Sequence, residues 1–393
     1  MPAPAARRAL VLACTLATAA VGLTGARAAA QDLRAQRVSG WRAPGVQVRV
    51  KGWAPANAAV DLLEREHVVD TTTAGPEGLF RLSFATLRPG RYPLSVAAAG
   101  ETLRVGTVRI RPVTLDAVGD ITFGEEVGPT LSRVGARYPW TSVAGLLRRA
   151  DVTTGNLETS VSLRGTPAGA KQFTFRGAPW MLRPVHSYAG FDVLTLANNH
   201  AVDFGRPALL DTIHAVRAAG METIGAGASS WSARRPAILT RGGLRIALLG
   251  YSDINPPGFS ATPDAAGTAA ADPAAIDADV HAALRRADVA VCFFHWGVEL
   301  HPLPDSRQKE LAVACLRSGA SLVLGAHPHV FGPIVRPSRH TLVAWTLGNF
   351  VFPSGSGSPT SRTGILQVRL GRDGVEGYRK TPATIQGFRP VIR

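Results

Sequence analysis

The chain has 393 residues, of which 46% are hydrophobic, and a formal net charge of +15. That length allows about two domains with a sizeable core, and the composition is typical of neither a disordered nor a collagen-like chain. The positive charge is spread along the chain with no basic arm, helix-turn-helix pattern or zinc-finger spacing. We therefore expect no nucleic-acid partner but a non-specific attraction for anionic polymers or membranes.

Residues 1–30 have the pattern of a signal peptide. Arg7 and Arg8 form a positive start, residues 9–23 are apolar, and residues 26–28 form a small-x-small cleavage motif. The apolar run is shorter than the roughly 20 residues that span a membrane. We therefore expect a secreted or extracytoplasmic protein. An uncleaved N-terminal segment that keeps the protein at the membrane is the alternative.

Residues 31–112 are predicted to form a small all-β sandwich. Short runs with period-two alternation recur there between Gly, Pro and Asn turns, at residues 46–51, 59–63, 80–84, 92–96 and 103–108. The segment has no cluster of His, Cys or carboxylate side chains. A spacer or docking module is therefore favoured over a ligand-binding domain.

From residue 113 to 353 the pattern changes to strand, loop and helix, which predicts a layered α/β domain. Helical patterns at residues 206–219 and 306–318 follow strand-like runs, and the Pro- and Ala-rich segment 255–275 is predicted to be a long surface loop. Residues 354–393 are predicted to form C-terminal strands and a tail. In α/β sheets, ligands bind beyond the carboxyl ends of the strands.

Five polar clusters follow strand-like runs of this domain. They contain Asp120; Asn156 and Glu158; Asn198, Asn199 and His200; His295 and Glu299; and His327 and His329, with Asn349 after a later strand. Alone, each could be a turn, a helix cap or a satisfied core histidine. Together they predict a shared centre, because polar groups are costly to bury without partners.

The pair His327 and His329 is the strongest of these patterns. In an extended chain, residues i and i+2 project to the same side, so both imidazoles could approach one metal ion or bridge two. Imidazole, amide and carboxylate donors without a thiolate suit Mn, Fe or Zn. The sequence has no Walker loop and no serine in a nucleophile elbow.

The cysteines say little about the fold. Cys14 lies in the predicted signal peptide, Cys292 in an apolar strand and Cys315 in a helical pattern. Two buried thiols are the simplest interpretation. A disulfide is compatible with an exported protein, but the spacing does not indicate one.

The clusters, in this order, resemble the CapA family of poly-γ-glutamate capsule biosynthesis proteins, which look like members of the calcineurin-type metallophosphoesterase superfamily. The resemblance covers about residues 113–353 and rests on the segments 118–124, 156–158, 197–200, 295–299, 325–329 and 347–350. It implies a layered metallophosphoesterase-like β-sandwich flanked by helices, with one or two divalent transition-metal ions.

The resemblance also implies roles for individual residues. His200 would stabilise charge on the reacting group, and the metal ligands would be Asp120, Asn156, Glu158, Asn199, His295, His327 and His329. Asn198, Glu299 and Asn349 are further candidates for the site. Two positions depart from the superfamily, which usually has His where Thr122 stands and a bridging Asp where Asn156 stands. Glu158 would substitute for that Asp.

The implied function is metal-dependent hydrolysis, with two ions, in capsule or cell-envelope poly-γ-glutamate metabolism. The superfamily implies that the cleaved bond is a phosphoester, whereas the family implies that it is an amide of the polyglutamate. A non-catalytic assembly or export factor that binds anionic polymer is the alternative, which Thr122 and Asn156 favour. The set of His295, His327 and His329 favours the hydrolase. A capsule synthase complex in the membrane is a further implied partner.

Overall fold

The computed structural model describes residues 32–169 and 171–392. The signal peptide predicted for residues 1–30 lies outside these residues. In the described part of the chain, no helix combines the length and the apolar character that a bilayer crossing needs.

The strands and helices are numbered in chain order. The strands are β1 (Arg34–Ala35), β2 (Trp41–Arg42), β3 (Val48–Trp53), β4 (Ala59–Glu64), β5 (His67–Thr73), β6 (Leu79–Phe84), β7 (Gly90–Ala98), β8 (Glu101–Ile110), β9 (Val113–Ile121), β10 (Val152–Leu157), β11 (Ser160–Val161), β12 (Arg176–Gly177), β13 (Val193–Thr195), β14 (Glu222–Ile224), β15 (Ala226–Gly227), β16 (Ala237–Arg241), β17 (Leu244–Ser252), β18 (Gly267–Thr268), β19 (Val289–His295), β20 (Leu322–Ala326), β21 (Ile334–Val335), β22 (Leu342–Ala344), β23 (Asn349–Val351), β24 (Arg362–Gly371), β25 (Gly374–Gln386) and β26 (Arg389–Ile392). The α-helices are α1 (Val127–Val134), α2 (Ala144–Leu147), α3 (Arg183–Ser187), α4 (Gly205–Ala218), α5 (Ser230–Ala233), α6 (Pro273–Leu284) and α7 (Ser306–Arg317).

Strands β1 to β8 form the predicted small all-β sandwich. One sheet has the order β1-β3-β6 and the other the order β2-β8-β7-β4-β5. Alternation builds the core between them: β3 buries Val48 and Val50 and exposes Arg49 and Lys51. Period-two patterning puts one face of each sheet inside and the other in water.

The remaining strands confirm the predicted layered α/β fold. A sheet of order β14-β13-β10-β9-β24-β25-β26, with β23 also paired to β9, faces a second sheet of order β16-β17-β19-β20-β22-β21. Apolar side chains of both sheets fill the space between them. Helices α1 to α4 cover the outer face of the first sheet, and α6 and α7 cover that of the second. The central strands are therefore buried on both faces, which their almost wholly apolar sequences favour.

The C-terminal residues complete the first of these sheets. Strand β24 pairs antiparallel with β9, and β25 and β26 extend the sheet outward. The helices predicted at residues 206–219 and 306–318 are confirmed to within one residue as α4 and α7.

The prediction of a long surface loop over residues 255–275 was wrong. Strand β18 lies inside this segment and pairs with β15, which precedes it in the chain. Thr268 is wholly buried, and α6 begins at Pro273. Asp272 caps that helix by accepting a hydrogen bond from the N–H of Ala275 (2.8 Å). A capping Asp followed by Pro at the first helical position is a helix-start pattern that the Pro- and Ala-rich composition obscured.

The interpretation of Cys292 and Cys315 as two separate thiols was also wrong, because they form a disulfide. Helix α7 follows β19 and packs back onto the outer face of its sheet, where both cysteines are wholly buried. The spacing of 23 residues gave no indication of this pairing, which depends on how the helix returns over the strand.

Candidate metal centre

The five polar clusters meet at one edge of the two facing sheets. Strands β9, β10 and β13 are parallel in one sheet, and β17, β19 and β20 are parallel in the other. Asp120 lies next to the end of β9, His295 ends β19, and His327 directly follows β20. The clusters therefore lie at the carboxyl ends of the parallel strands, where α/β sheets bind ligands.

Asp120, Asn156 and Asn198 form a hydrogen-bonded chain, called here the aspartate side. Asn156 Nδ2 donates to Asp120 Oδ1 (2.8 Å), and Asn198 Nδ2 donates to Asn156 Oδ1 (3.0 Å). The backbone N–H groups of His327 and His200 donate to Asp120 Oδ2 (3.3 Å) and Asn198 Oδ1 (3.1 Å). Each side-chain polar atom of the aspartate side therefore has a partner within the protein.

Glu158, His295 and His327 form the opposite part of the cluster, called here the histidine side. The Glu158 side chain is wholly buried, yet neither of its oxygens has a hydrogen-bond partner. Nδ1 of His327 is likewise buried without a partner. Oε1 of Glu158 lies 3.4 Å from Nε2 of His295. Orphaned buried atoms are rare in proteins, and a role in binding an ion is one of their recognised explanations.

His295 connects the two sides. Its Nδ1 accepts from Asn156 Nδ2 (3.1 Å), and its Nε2 lies 2.9 Å from Asn199 Oδ1. An amide NH₂ group donates, so without an ion these contacts assign a neutral ring with its proton on Nε2, and this proton must leave that atom before His295 can bind an ion. Burial, with the charge on His327 and His329 next in size, holds the pKa of His295 well below its usual value.

His327 and His329 converge by a route that the sequence did not predict. Their φ angles are +96° and +57°, so the chain turns sharply and is not extended as expected. The two ring centres nevertheless lie 5.8 Å apart. A positive φ is uncommon for residues other than glycine and costs on the order of 1–3 kcal/mol at each site. Two such φ angles within three residues show that the backbone strain of this loop is concentrated at the cluster.

Charge differs sharply between these two histidines. Burial lowers the pKa of His327 to about 3, helped by the positive charge of His329. Burial also lowers the pKa of His329, but the Glu158 charge and the hydrogen bonds with Asp120 and Asn349 outweigh it and raise this pKa to about 10. Burial and the Asp120 charge raise the pKa of Glu158. The carboxylates thus have one imidazolium, His329, as their nearest balancing charge.

His200 is held by groups outside the predicted set. Its Nδ1 lies 2.7 Å from Asp203 Oδ2, and Nζ of Lys171 contacts Asp203 Oδ1 (2.6 Å) and the carbonyl of Asn199 (2.6 Å). Phe175 stacks on the ring at 4.0 Å. With Nδ1–H donating to Asp203, the free Nε2 faces the cluster, 4.0 Å from Glu158 Oε1. Burial lowers the pKa of His200, and Asp203 opposes that effect.

The donor set fits a divalent transition-metal ion. Three groups of side chains each bring their donor atoms within 4.8 Å of one another. These groups are Glu158, His295 and His327; Glu299, His327 and His329; and Asp120, Glu158 and His329. The orphaned oxygens of Glu158 and Nδ1 of His327 are the atoms that most need a cation. Nitrogen and carboxylate donors without thiolate suit Mn, Fe or Zn.

The structure brings every predicted site residue to this edge, but not all as free donors. Asn199 borders His295, Glu299 is an exposed residue at the rim, and Asn349 Oδ1 contacts His329 Nδ1 (2.8 Å). Asn198 is committed to neighbouring groups on both its oxygen and its nitrogen. Thr122 accepts from the N–H of Gly124 (3.1 Å), as a turn residue does.

Lys171, Phe175 and Asp203 were missed by sequence reasoning. Asp203 follows His200 by three residues and stands in the same cluster, so its spacing was a usable sign. Lys171 is one of only four lysines among 43 basic residues, which was the one visible hint. Phe175 had no local sign, because its contact with His200 joins segments that are 25 residues apart.

Comparison with known proteins adds a family to this geometry. Residues 114–354 match the family described as bacterial capsule synthesis protein PGA_cap. The PGA biosynthesis protein CapA of Bacillus subtilis (strain 168) is 31% identical over 296 residues, 75% of this chain and 77% of the relative. The capsule biosynthesis protein CapA of Bacillus anthracis is 30% identical, over 71% of this chain and 69% of the relative.

Among solved structures, a 5'-nucleotidase precursor from Thermus thermophilus is similar at 14% identity and a TM-score of 0.43. The similarity covers 71% of this chain and 54% of that one. At this level it says nothing about activity.

Proposed function

This chain belongs to the PGA_cap family of bacterial capsule synthesis proteins, and from that membership we propose that it is an extracytoplasmic, metal-dependent hydrolase of poly-γ-glutamate metabolism. Two relatives are named for capsule or PGA biosynthesis. The polymer class comes from those names, and the reaction class comes from the chemistry of the candidate metal centre.

One observation carries the proposal. Glu158 is wholly buried, neither carboxylate oxygen has a partner, and the imidazoles of His295 and His327 stand beside it. A buried carboxylate without partners costs several kcal/mol unless a cation compensates it. A purely structural role would not require such an arrangement at the ligand-binding edge of the sheets.

Glu158, His295 and His327 would hold one ion. His329 would contribute to a second, either with Asp120 and Glu158 or with Glu299 and His327. Such an ion supplies Lewis-acid polarisation of a scissile bond and of an attacking water. The histidine side has the larger need of a cation, because Asp120 and Asn156 already satisfy each other. We therefore propose that the histidine side is the stronger of the two positions.

His200 is placed to move a proton. Asp203 fixes its ring through Nδ1, and the free Nε2 faces the cluster, where it can accept a proton or return one to a leaving group. Lys171 balances the charge of Asp203 and, through its bond to the carbonyl of Asn199, ties the segment before Phe175 to the His200 loop. The stacked Phe175 covers one face of the ring and keeps water from it.

The disulfide supports the extracytoplasmic part of the proposal. Disulfides persist in secreted and envelope proteins and are rare where thiols are kept reduced. The bond between Cys292 and Cys315 thus agrees with the signal-peptide pattern of residues 1–30.

A non-catalytic assembly factor is the second candidate function. The self-satisfied pair of Asp120 and Asn156 favours it, because half of the expected ligand set is occupied within the protein. Both candidates predict polymer binding, but only the hydrolase predicts metal-dependent bond cleavage.

The deciding experiment measures metal content and cleavage on the same preparations of the exported chain. Poly-γ-glutamate cleavage is followed by new amino groups, and p-nitrophenyl phosphate reports phosphoester hydrolysis. We expect bound Mn, Fe or Zn, and activity that falls with chelation. Both should be lost in His327→Ala plus His329→Ala and retained in His67→Ala plus His281→Ala, which removes two exposed histidines.

If the wild-type chain binds metal but cleaves neither substrate class, the assembly factor is the better proposal. If it binds no metal in metal-replete medium, the candidate metal centre itself is disproved.

A further inference from the structure

The all-β sandwich of residues 34–110 lies outside the family match and has two outer faces of different character. The face of sheet β1-β3-β6 carries the exposed side chains of alternate residues. It presents Arg34, Arg49, Lys51 and Arg81 together with Trp53 and Leu79. This set is called here the cationic face.

Register places like charges directly against each other on the cationic face. Lys51 is the cross-strand partner of Arg81, and Arg49 lies two residues away on the same side of β3. Like charges directly opposite on adjacent strands destabilise a sheet. Among the described residues, no carboxylate lies within 4.0 Å of the charged nitrogens of Arg49, Lys51 or Arg81.

Two carboxylates, those of Asp70 and Asp32, lie beside the cationic face. Asp70 accepts hydrogen bonds from the N–H (2.7 Å) and hydroxyl (3.4 Å) of Ser83, and Arg34 contacts Asp32 at 3.5 Å with both side chains 75% exposed. An exposed ion pair of that kind contributes little. In the described part of the chain the three central cations thus form no ion pair, and Asp70 is the one carboxylate that lines their groove.

Shape and apolar surface accompany this charge. Arg49, Lys51 and Arg81 line a groove of about 720 Å³ together with the amides of Gln36 and Gln47 and the carboxylate of Asp70. Trp53 is 50% exposed and its cross-strand partner Leu79 is 41% exposed. A groove with cations and amides, on a face that also exposes an indole, can contact the charges and the methylene groups of an extended chain at once.

The opposite face of the same sandwich is the natural comparison. There Asp61 accepts from the hydroxyl of Thr71 (2.8 Å), and Arg104 pairs across the sheet with Ser95. Thr, Ser and Ala occupy most of the outward positions of β7 and β8 between the arginines. Arg91 also lies directly opposite Arg109 there, so a like-charge pair occurs on both faces. The groove and the exposed pair of Trp53 and Leu79 are what distinguish the cationic face.

The sandwich joins the α/β domain far from the candidate metal centre. The N–H of Ala43 donates to the carbonyl of Gly242 (2.9 Å), and Arg111 pairs with Asp151 (2.6 Å), both at the amino ends of the central strands. Strand β9 has nine residues, so at about 3.3 Å per residue roughly 30 Å separates its two ends. A ligand in contact with both places must be a long chain.

We propose that the cationic face binds an extended polycarboxylate, the poly-γ-glutamate chain of the proposed function, on which the identity of this polymer rests. Carboxylates along the polymer supply the missing counter-charge for Arg49, Lys51 and Arg81. Nucleic acid fits less well, because single strands are bound on successive aromatic side chains and this face exposes one aromatic residue, Trp53.

The test measures binding of the full exported chain to immobilised poly-γ-glutamate in chelator, so that cleavage does not contribute. Lys51→Gln plus Arg81→Gln should lower affinity at least about tenfold and weaken its salt dependence. Thermal unfolding should stay level or rise, because a like-charge pair is removed. The matched control, Arg91→Gln plus Arg104→Gln on the opposite face, makes the same change in net charge and should alter affinity less than about twofold.

Equal losses in both double variants would show a general charge effect and overturn the proposal. So would single-stranded DNA that binds as tightly as the polymer and with the same dependence on Lys51 and Arg81. Binding that depends on these residues without any metal-dependent cleavage leaves this inference standing and removes the hydrolase. Metal-dependent cleavage together with binding that does not depend on Lys51 and Arg81 would support the hydrolase and overturn this inference.

Discussion

The aspartate side and the histidine side of the candidate metal centre use similar residue types in opposite ways. On the aspartate side, Asp120, Asn156 and Asn198 saturate one another with hydrogen bonds. On the histidine side, both oxygens of Glu158 and one nitrogen of His327 are buried with nothing to bind. An amide in place of a carboxylate at residue 156 makes the difference, because an NH₂ group can donate to Asp120 and replace a cation.

Glu158→Gln tests the histidine side with the largest expected effect. The change keeps the size of the side chain and removes its charge. We expect metal affinity to fall at least about 1,000-fold, or about 4 kcal/mol, which is more than the loss of an outer partner of a ligand causes. In chelator the same variant should unfold at a higher temperature than wild type, because it no longer has to hold a proton or a charge on a buried carboxyl whose pKa is raised by burial and by Asp120.

Isothermal titration with Mn and Zn, and thermal unfolding in chelator, give the two readings. Glu299→Gln, at the exposed rim, is the matched control, for which we expect a smaller loss of affinity and no gain in chelator. Unchanged metal affinity in Glu158→Gln would mean that the histidine side does not hold the ion.

Lys171→Met probes the support of His200 beside the histidine side. Its ammonium side chain is 13% exposed and pairs with the wholly buried Asp203. Removing one partner of a buried pair leaves the other uncompensated, so we expect a loss of about 3 kcal/mol in the free energy of unfolding. Urea denaturation measures it, and Lys309→Met, at an exposed lysine of α7, should change stability by less than about 0.5 kcal/mol.

Asp116→Asn tests whether a buried carboxylate oxygen without a hydrogen-bond partner is by itself a sign of metal binding. Asp116 lies on β9 with Asp120 but near the amino end, where Oδ1 accepts from Gln367 (3.0 Å) and Oδ2 is buried without a partner. No imidazole is grouped with it among the described residues. Burial, opposed by Gln367 and Arg379, raises its pKa to about 6. This carboxyl should therefore respond to protons and not to metal.

The sign of that response follows from the raised pKa. The folded chain holds the Asp116 proton more tightly than the unfolded chain, so wild type gains stability as pH falls from about 6 to 4 and loses it as pH rises through 6. Asp116→Asn should lack this dependence and be more stable than wild type by about 2–3 kcal/mol at about pH 8. Denaturation between about pH 4 and 8 measures the difference. The control Asp373→Asn, at an exposed position, should show the same pH dependence of stability as wild type. A loss of metal in Asp116→Asn would contradict this assignment.

Asn156→Asp should make the aspartate side resemble the histidine side. The donated hydrogen bond to Asp120 becomes a repulsion between carboxylates, which lowers stability in chelator. With metal present, we expect a second ion per chain or about tenfold tighter binding of the first. Metal analysis at saturation distinguishes the two results. If neither stability nor stoichiometry changes, the amide at residue 156 is not what separates the two sides.

The sequence predicted the layered fold and the residues at its ligand-binding edge, because both depend on local order. Apolar runs define buried strands, and the polar residues that follow them must lie at strand ends. Which donors remain free could not be predicted, because Asn156 reaches Asp120 across 36 residues and His295 across 139. The turned backbone at His327 and His329 and the partners of His200 are likewise set by tertiary contacts.

Charge on the all-β sandwich shows the same limit. Alternation at residues 46–51 predicted a strand with an exposed polar side, which is confirmed in β3. The sequence could not show that β6 would place Arg81 opposite Lys51, because register between strands depends on pairing 30 residues apart.

The disulfide between Cys292 and Cys315 has a consequence for the rim of the candidate metal centre. The covalent ring that it closes contains His295, Glu299 and the exposed side chains of Val298, Leu300 and Leu303. Cross-linking a ring of this size removes on the order of 3 kcal/mol of chain entropy from the unfolded state. In a reducing compartment the strand-end donors would keep their places in the sheet, while the stretch that carries Glu299 would lose its covalent tether. The oxidation state of the surroundings therefore sets how freely the rim of the centre moves, independently of any metal.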